Sequence, residues 1–307
     1  MQISIHTPLL YSTPLSTIAK TNIWLKMEAL QPSGSFKSRG IGYACQHYVR
    51  KGAQSLVSSS GGNAGMAVAL AGNRMGVPVT VVVPESTKQA AKDQIQSENA
   101  TLIVHGESWI EAHAYATKLA EQGAAYIHPF DDPVIWEGHA SMVDEMLADG
   151  VTPDGIILCV GGGGLFCGVV EGLRRNGLDD VPILALETTG AASFHDSVQA
   201  GERVYLDAID TIATTLGAKQ VGEQAFAFSQ SHPTETALVS DAVAVDACLN
   251  FLNDHRVLVE PSCGASLSAV YKRAPFLEGK ENIVVIVCGG SGATIQQLLD
   301  WKDTLRG

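Results

Sequence analysis

Positive charge is scarce in this sequence. Lysine and arginine together number 20 against 32 acidic residues, so the formal net charge is -12. Proteins that bind DNA or RNA need a basic surface to meet the phosphates, and no basic run occurs here. We therefore expect no nucleic-acid partner. Charge of either sign makes up only 17% of the residues and hydrophobic residues 46%, which is typical of a well-buried globular protein.

Paired cysteines and long apolar runs are also absent. The six cysteines form no CxxC pair and no zinc-ligand spacing, and several lie in apolar runs where a free thiol packs as a small hydrophobic group. No apolar run reaches the roughly 18 residues of a membrane span. The N-terminal segment MQISIHTPLL lacks the pattern of a signal peptide. These absences predict a cytoplasmic protein with reduced thiols and no membrane association.

Short apolar runs alternate with helix-like segments along the 307 residues. Most runs are rich in valine and isoleucine and lack polar alternation, as strands buried on both faces do. We expect strands at 55–60, 79–84, 101–105, 124–128, 155–160, 181–187 and 282–288, and helices at 64–75, 86–98, 109–122 and 133–147. This alternation favours an α/β architecture with parallel sheets, and the length favours two lobes.

Three glycine-rich turns each follow a predicted strand. They are SSSGGNAG (58–65), VGGGGLFCG (160–168) and CGGSGAT (288–294). Ligands of open α/β sheets bind at the carboxyl ends of the strands, so the three turns can converge on one ligand. In the first turn, Ser60 and Asn63 precede a predicted helix whose free N–H groups suit a carboxylate, and simple helix capping is the alternative.

The four consecutive glycines Gly161–Gly164 are the most informative feature of the second turn. They allow close backbone approach and point several N–H groups at one spot before a helix, which makes an anion site, most simply for phosphate. An NAD-binding interpretation stays open. Cys167 stands where the third glycine of GxGxxG belongs, but Glu187 could bind a ribose. The motifs GxxxxGK[ST], GxSxG and HExxH do not occur.

Lys37 lies in PSGSFKSRG, a turn of small residues near the N-terminus. A lysine is usually a solvated surface charge, but the neighbours of this one change the interpretation. Phe36 can stack on an aromatic cofactor, and the small residues before it leave room for a ring. An amine near a phosphate loop is what a pyridoxal Schiff base requires.

At this point the sequence resembles the serine/threonine dehydratases of pyridoxal-phosphate fold type II, and in particular the liver-type L-serine dehydratases and the serine-dehydratase-like enzymes. The matching segments follow the family's order over nearly the whole chain. They are TPLL, KMEALQPSGSFKSRG, SSSGGNAGMA, GVPVTVVVPEST, FDDPVIWEGHAS, CVGGGGLFCGVVEGL, ETTGAASFHDS, LVEPSCGASLSAVY and VVIVCGGSGAT.

The resemblance implies a fold similar to the tryptophan synthase β chain, with two open twisted sheets flanked by helices. We expect a large cofactor-binding domain at 1–41 and 130–307 and a small substrate-binding domain at 42–129. The implied activity is pyridoxal-phosphate-dependent dehydration of L-serine to pyruvate and ammonia, and of L-threonine to 2-oxobutanoate. The resemblance also implies a homodimer.

The resemblance assigns roles to individual residues. Lys37 carries the cofactor as a Schiff base, Phe36 packs on one face of the ring, and Cys288 lies beside the pyridine nitrogen. The phosphate is held by Gly161, Gly162, Gly163, Gly164 and the backbone of Leu165. The substrate carboxylate is bound by Ser60, Gly61, Asn63 and Ala64, and Asn63 also reaches the phenolic oxygen. A monovalent cation, expected to be potassium, is bound by Glu187 and by backbone carbonyls near Gly161, Ala191, Leu216 and Ala218.

Two residues depart from the liver-type pattern and leave the preference between serine and threonine open. Gly61 matches the serine-dehydratase-like subgroup, and Thr215 stands where alanine is expected. Other activities of the same fold type remain alternatives, because fold does not decide reaction. They are threonine synthesis, β-replacement and racemisation. A catalytically silent binding protein is disfavoured because Lys37 and all three turns are present.

Overall fold

The computed structural model describes residues 3–305 except Gln122, and this part of the chain forms ten strands and twelve α-helices. The strands are β1 (Leu9–Tyr11), β2 (Asn22–Lys26), β3 (Leu56–Ser58), β4 (Val79–Val83), β5 (Thr101–Val104), β6 (Ala125–Tyr126), β7 (Gly155–Cys159), β8 (Ile183–Thr188), β9 (Thr234–Val239) and β10 (Asn282–Ile286). The helices are α1 (Thr13–Ala19), α2 (Lys37–Arg50), α3 (Asn63–Met75), α4 (Gln89–Ser97), α5 (Trp109–Ala120), α6 (Pro133–Ala148), α7 (Gly164–Arg175), α8 (Ser193–Ala200), α9 (Glu223–Ser229), α10 (Asp241–His255), α11 (Pro261–Tyr271) and α12 (Ile295–Thr304).

The strands form two separate sheets. The larger has the order β1-β2-β10-β7-β8-β9 and is parallel except for β1, which runs antiparallel to β2. The smaller has the order β5-β4-β3-β6 and is wholly parallel. Every residue of β7 and β8 is buried, as expected for a parallel sheet with helices on both faces. The predicted α/β class with two open sheets is therefore confirmed.

The seven predicted strands all exist, but β1, β2 and β9 were not predicted. A lysine usually indicates an exposed position, so Lys26 at the end of β2 hides the signal of a buried strand, although its side chain is fully buried. Strand β9 mixes threonine and glutamate with apolar residues because it forms an edge of its sheet, where burial is incomplete. Both strands thus lack the continuous apolar signal of a central strand.

A buried network of charges anchors the helix that begins at Lys37. Arg39 donates to Glu28 at 2.7 Å and to Glu145 at 2.5 Å, and Lys26 pairs with Glu145 at 2.5 Å. Arg39 is only 3% exposed, and removing one partner of a buried ion pair leaves an uncompensated charge. The network therefore ties α2 to α6 and to the larger sheet two residues beyond Lys37.

The proposed boundary at residue 42 falls inside α2. This helix packs against α6 and also against α3, which flanks the smaller sheet. All four strands of the smaller sheet lie within 42–129, and the assignment of domains remains a prediction. None of the described helices is long and apolar enough to cross a membrane.

Candidate active site

Lys37 is the first residue of α2 rather than part of a free turn. The preceding turn is held against β10 by a hydrogen bond from Phe36 N to Cys288 O at 3.0 Å and by a bridge between Ser35 and Gly289. Lys37 Nζ donates to Pro129 O at 2.5 Å. Burial lowers the pKa of Lys37 to about 8, which raises the share of neutral, nucleophilic amine near neutral pH.

The ring of Phe36 packs against the imidazole of His139. The ring centroids of Phe36 and His139 are 4.9 Å apart, and His139 is fully buried. Its Nδ1 accepts from Gly40 N at 3.2 Å, whereas Nε2 has no hydrogen-bond partner among the described residues. Burial lowers the pKa of His139 well below its usual value, so the ring that supports Phe36 is neutral.

The second turn joins β7 to α7 and presents free backbone donors. Among the described residues, no acceptor lies within hydrogen-bond distance of the N–H groups of Gly161–Leu165. Free N–H groups at a helix N-terminus, together with the helix dipole, suit a phosphate. The turn thus fits the phosphate of pyridoxal phosphate.

The glycines of this turn also have a packing role that the sequence did not reveal. A Cβ at Gly162 would lie 2.3 Å from the ring of Phe130, and one at Gly163 would lie 2.4 Å from Ala225 Cβ. Gly163 has a φ of 96°, which side chains rarely tolerate. Phe130 follows Pro129, the residue whose carbonyl accepts from Lys37, so the same segment contacts both the lysine and the phosphate loop.

The first turn connects β3 to α3, and Asn63 begins that helix. Ser60 Oγ accepts from Gly62 N at 3.3 Å. A Cβ at Gly61 would lie 2.6 Å from Thr87 Cγ2, so a larger residue here would require the Thr87 side chain to move. Ala64 is buried, and Ser58 Oγ is buried with no partner in the described chain. The four residues predicted to bind a carboxylate therefore lie together at the start of α3.

Cys288 lies in a group of three thiols. Its Sγ is 3.6 Å from Cys159 Sγ, and hydrogen bonds with Cys159 and Cys263, together with burial, raise the pKa of Cys288 well above its usual value. All six cysteines are free thiols. A thiol with a raised pKa remains neutral, so Cys288 carries no charge at the position where the resemblance places it beside the pyridine nitrogen.

Glu187 is a buried carboxylate near the end of β8. Its two oxygens accept from Phe194 N at 3.0 Å and His195 N at 2.6 Å. Burial raises its pKa to about 8, and within the described chain no lysine or arginine pairs with it. Each oxygen thus accepts one hydrogen bond from the backbone of α8 and keeps a lone pair for a further partner.

Among the residues predicted to share a cation with Glu187, Leu216 lies next to Gly161 and Ala218, and Ala191 lies in the turn that follows the strand of Glu187. A Cβ at Gly161 would lie 3.1 Å from Leu216 Cα, and Ala218 N donates to Leu216 O at 2.7 Å. Ala191 closes the turn after β8 through a bridge to Thr188. The hydroxyl of Ser193 is buried and has no partner in the described part of the chain. These groups are oxygens, which suits a hard cation.

Two residues of the site were missed from the sequence. Glu260 precedes Pro261 at the start of α11 and so reads as a helix-capping position, yet its carboxylate bonds to Asn63 and Thr215 instead. Phe130 carries no local signal, because its contact with Gly162 depends on tertiary packing alone.

Comparisons with known proteins find similarity over nearly the whole chain. The profile of the family described as "Pyridoxal-phosphate dependent enzyme" matches residues 2–289. The L-serine dehydratase/L-threonine deaminase of Homo sapiens is 47% identical over 312 residues, which is 98% of this chain and 95% of the relative. The human serine dehydratase-like protein is 45% identical, covering 97% of this chain and 94% of the relative. The solved L-serine ammonia-lyase from Rhizomucor miehei superposes with a TM-score of 0.91 at 36% identity, covering 99% of each chain.

Proposed function

Since this chain belongs to the family of pyridoxal-phosphate dependent enzymes, we propose that it dehydrates L-serine to pyruvate and ammonia and L-threonine to 2-oxobutanoate. The proposal is supported by relatives of about the same length that are named L-serine dehydratase/L-threonine deaminase and are up to 47% identical. It agrees with the similarity to a solved L-serine ammonia-lyase.

The observation that carries the proposal is the lysine amine at the start of α2. Lys37 is flanked by the Cys288 turn on one side and by Pro129 on the other. Phe130, the residue after Pro129, packs on the second turn, whose backbone N–H groups are free. An amine, an aromatic ring and a phosphate-binding turn are the three parts that pyridoxal phosphate needs.

The chemistry divides between the cofactor and the chain. When bound, pyridoxal phosphate supplies an electron-accepting ring that delocalises the charge left after the Cα–H bond breaks. Lys37 would hold the cofactor in the resting protein, and after the substrate amine replaces it there, the freed neutral amine of Lys37 would accept the Cα proton as the general base. The lowered pKa of about 8 makes this amine a base near neutral pH. Cys288 remains a neutral thiol, so this side chain would not hold a proton on the ring nitrogen as a carboxylate would.

The start of α3 binds the substrate carboxylate in this proposal. Its backbone N–H groups and the hydroxyl of Ser60 are donors, and the helix dipole favours a negative charge there. Holding the carboxylate at this point leaves Cα directed towards the lysine side of the site. The hydroxyl on Cβ then leaves with a proton as water, which balances the proton that Lys37 takes from Cα, and a water molecule later hydrolyses the product imine to ammonia and the keto acid.

The test uses the purified protein with L-serine and no second substrate. We expect pyruvate and ammonia in equal amounts, and a visible absorption band from the bound cofactor that changes when serine is added. Chiral analysis of the remaining serine distinguishes the racemase alternative, which converts it to D-serine. A synthase or β-replacement enzyme would release product only with a second substrate. Absence of keto acid from both serine and threonine would reject the proposal.

We further propose that Glu187 binds a monovalent cation, potassium in particular, together with carbonyls of Gly161, Ala191, Leu216 and Ala218. The support is a buried carboxylate whose pKa is raised by burial and which has no cationic partner in the described chain. Mostly neutral oxygen ligands in loose geometry suit a large cation. The cation would steady Gly161 and with it the phosphate turn.

A homodimer and a cytoplasmic location complete the proposal. Both follow from the sequence resemblance and composition. Light scattering on the purified protein checks the first, because a dimer has about twice the chain mass of 32.3 kDa.

A further inference from the structure

Glu260 is a buried carboxylate that turns away from its own helix. It is 4% exposed and occupies the N-cap position of α11, yet it makes no capping hydrogen bond. Its Oε1 accepts from Asn63 Nδ2 at 3.0 Å and from Thr215 Oγ1 at 2.5 Å, and its Oε2 accepts from Gly292 N at 2.9 Å. The carboxylate therefore faces the active site, where it accepts hydrogen bonds from donors in three different segments of the chain.

We propose that Glu260 is a positioning residue for the dehydration, joining the start of α3 to the Cys288–Gly292 turn and fixing the orientation of Asn63. The inference rests on the proposed function for the reaction it serves. Asn63 belongs to a helix of the smaller sheet, whereas Thr215 and Gly292 belong to segments around the larger sheet. One carboxylate thus connects the two halves of the site.

Glu260 decides which way the amide of Asn63 points. Nδ2 of Asn63 donates to the carboxylate, and Oδ1 accepts from Ser291 N at 3.1 Å. A carboxylate only accepts and a backbone N–H only donates, so a flipped amide would lose both hydrogen bonds. Glu260 therefore fixes the side chain that begins the carboxylate-binding helix.

Two glycines of the third turn, Gly290 and Gly292, lie against this carboxylate. A Cβ at Gly290 would lie 2.0 Å from Glu260 Cδ, and one at Gly292 would lie 2.7 Å from Oε2. Gly290 also has a φ of 111°, which disfavours other residues. The motif CGGSGAT is thus shaped around Glu260, in addition to any contact that it makes with a ligand.

Glu260 also acts on Lys37 through its charge. Burial lowers the pKa of Lys37, and the Glu260 charge opposes that effect. Burial raises the pKa of Glu260, whereas its hydrogen bonds and the charge of Lys37 lower it. The other ionisable groups that face this pair are the thiols of Cys159, Cys248 and Cys288 and the imidazoles of His128 and His139. Loss of the carboxylate charge should therefore lower the pKa of Lys37.

The test compares Glu260→Gln with the matched control Asp154→Asn. Asp154 is likewise a carboxylate that accepts several hydrogen bonds, here from the backbone N–H groups of Glu281 and Asn282, but it precedes β7 at the opposite end of the larger sheet. Cofactor-free protein is acetylated with limiting reagent across a pH series, and modification of Lys37 is followed by peptide mass spectrometry. In the cofactor-loaded protein, KM and kcat for L-serine are measured along with the unfolding midpoint.

We expect Glu260→Gln to shift the Lys37 labelling curve to lower pH by about half a unit or more. We expect its KM for L-serine to rise about tenfold, the effect of losing hydrogen bonds that hold a binding group. Asp154→Asn should change neither. A folded Glu260→Gln protein with both the labelling curve and KM of the parent would overturn the inference.

If Glu260→Gln does not fold, Thr215→Val decides the matter. It removes one donor at 2.5 Å from the carboxylate and should raise KM severalfold at an unchanged unfolding midpoint; an unchanged KM overturns the inference. If the parent protein produces no keto acid, the proposed function fails on its own. The Lys37 labelling curve then still decides the role of Glu260, because it needs no turnover.

Discussion

A lysine amine acts as a base only in its neutral form, so the surroundings of Lys37 matter as much as its identity. The sequence could predict Lys37 because its neighbours are small and aromatic. The pKa of about 8 could not be predicted, because it results from burial among segments distant in the chain. The same holds for Glu260, whose local sequence indicates only the start of a helix.

Replacing Lys37 with alanine should abolish the visible absorbance of the bound cofactor and nearly all turnover. The variant loses both the covalent attachment and the Cα base, and general-base catalysis alone contributes about 10²–10⁴-fold. Absorbance spectra and pyruvate release are the measurements. Lys51→Ala, an exposed lysine just after the same helix, is the control and should behave as the parent. Near-normal pyruvate release from Lys37→Ala would contradict the assignment.

Cys288 gives a second prediction at this scale. Cys288→Ala should weaken cofactor retention only mildly, because a neutral thiol is a weak partner. Cys288→Asp places a carboxylate that can hold a proton on the ring nitrogen, so slow racemisation or transamination should appear beside elimination. Chiral and amino-acid analysis detects the new products. Cys288→Asn is the uncharged control of the same size, and equal product patterns for the two variants would refute the argument.

At the scale of elements, the turns were easier to locate than to explain. The sequence places Gly161–Gly164 between a strand and a helix, as observed. It attributes the glycines to a ligand, whereas part of the requirement comes from Phe130 and Ala225 packing on the turn. Such contacts join residues far apart in the chain and leave no periodic pattern. For the same reason β2, which ends in the buried Lys26, was not predicted.

The turn after β8 carries a prediction that links pH to cation binding. The pKa of Glu187 is raised from 4.5 in the unfolded chain to about 8 in the fold. Without a cation, this group therefore favours the fold at low pH, and that stability is lost as the pH rises through about 8. Protons and potassium compete for the carboxylate, so potassium should stabilise the protein more at about pH 8.5 than at about pH 6.

Thermal unfolding in potassium, sodium or a bulky organic cation measures this effect. We expect potassium to raise Tm by about 3 °C or more at the higher pH and to raise the rate of keto-acid formation. Glu187→Gln removes the charge and should lose both responses, whereas Glu235→Gln, on the neighbouring β9, should retain them. Equal Tm and equal rates in all three salts would remove the cation from the proposal.

For the molecule as a whole, the two sheets follow from strand–helix alternation, but the way they meet does not. Asn63, in a helix beside the smaller sheet, and Glu260, at the start of a helix beside the larger sheet, form a hydrogen bond across 197 positions of sequence. Phe130, which follows the last strand of the smaller sheet, packs on the second turn, at the end of a strand of the larger sheet. The sequence predicts the members of the site because each turn has a local signature. The contacts that join the turns arise only from the packed structure.

His128 lies at this junction and should make cofactor retention sensitive to acid. Its Nδ1 accepts from Asp131 N at 2.7 Å and from Phe130 N at 3.2 Å. Burial, with His113 and Lys37, lowers its pKa to about 4 from 6.5. A histidine with a lowered pKa contributes stability above the unfolded value, and that stability is lost as the pH falls towards the folded value. The sensitive window is therefore between about pH 6.5 and about pH 4.

Protonation of His128 would break the two bonds that hold Phe130 on Gly162, and the phosphate turn would lose its cover. We expect the bound cofactor to be released as the pH falls through this window, with about 2 kcal/mol of stability lost after allowance for partial exposure. Cofactor absorbance after gel filtration and unfolding curves across the pH series measure both. His128→Asn keeps a hydrogen-bond acceptor but has no titrating ring, so it should reduce the loss of cofactor and of stability between about pH 6.5 and about pH 4. His47→Asn, near the C-terminal end of α2, should lose both as the parent protein does. Equal loss of cofactor and of stability with falling pH in His128→Asn and the parent protein would show that His128 does not hold Phe130 in place.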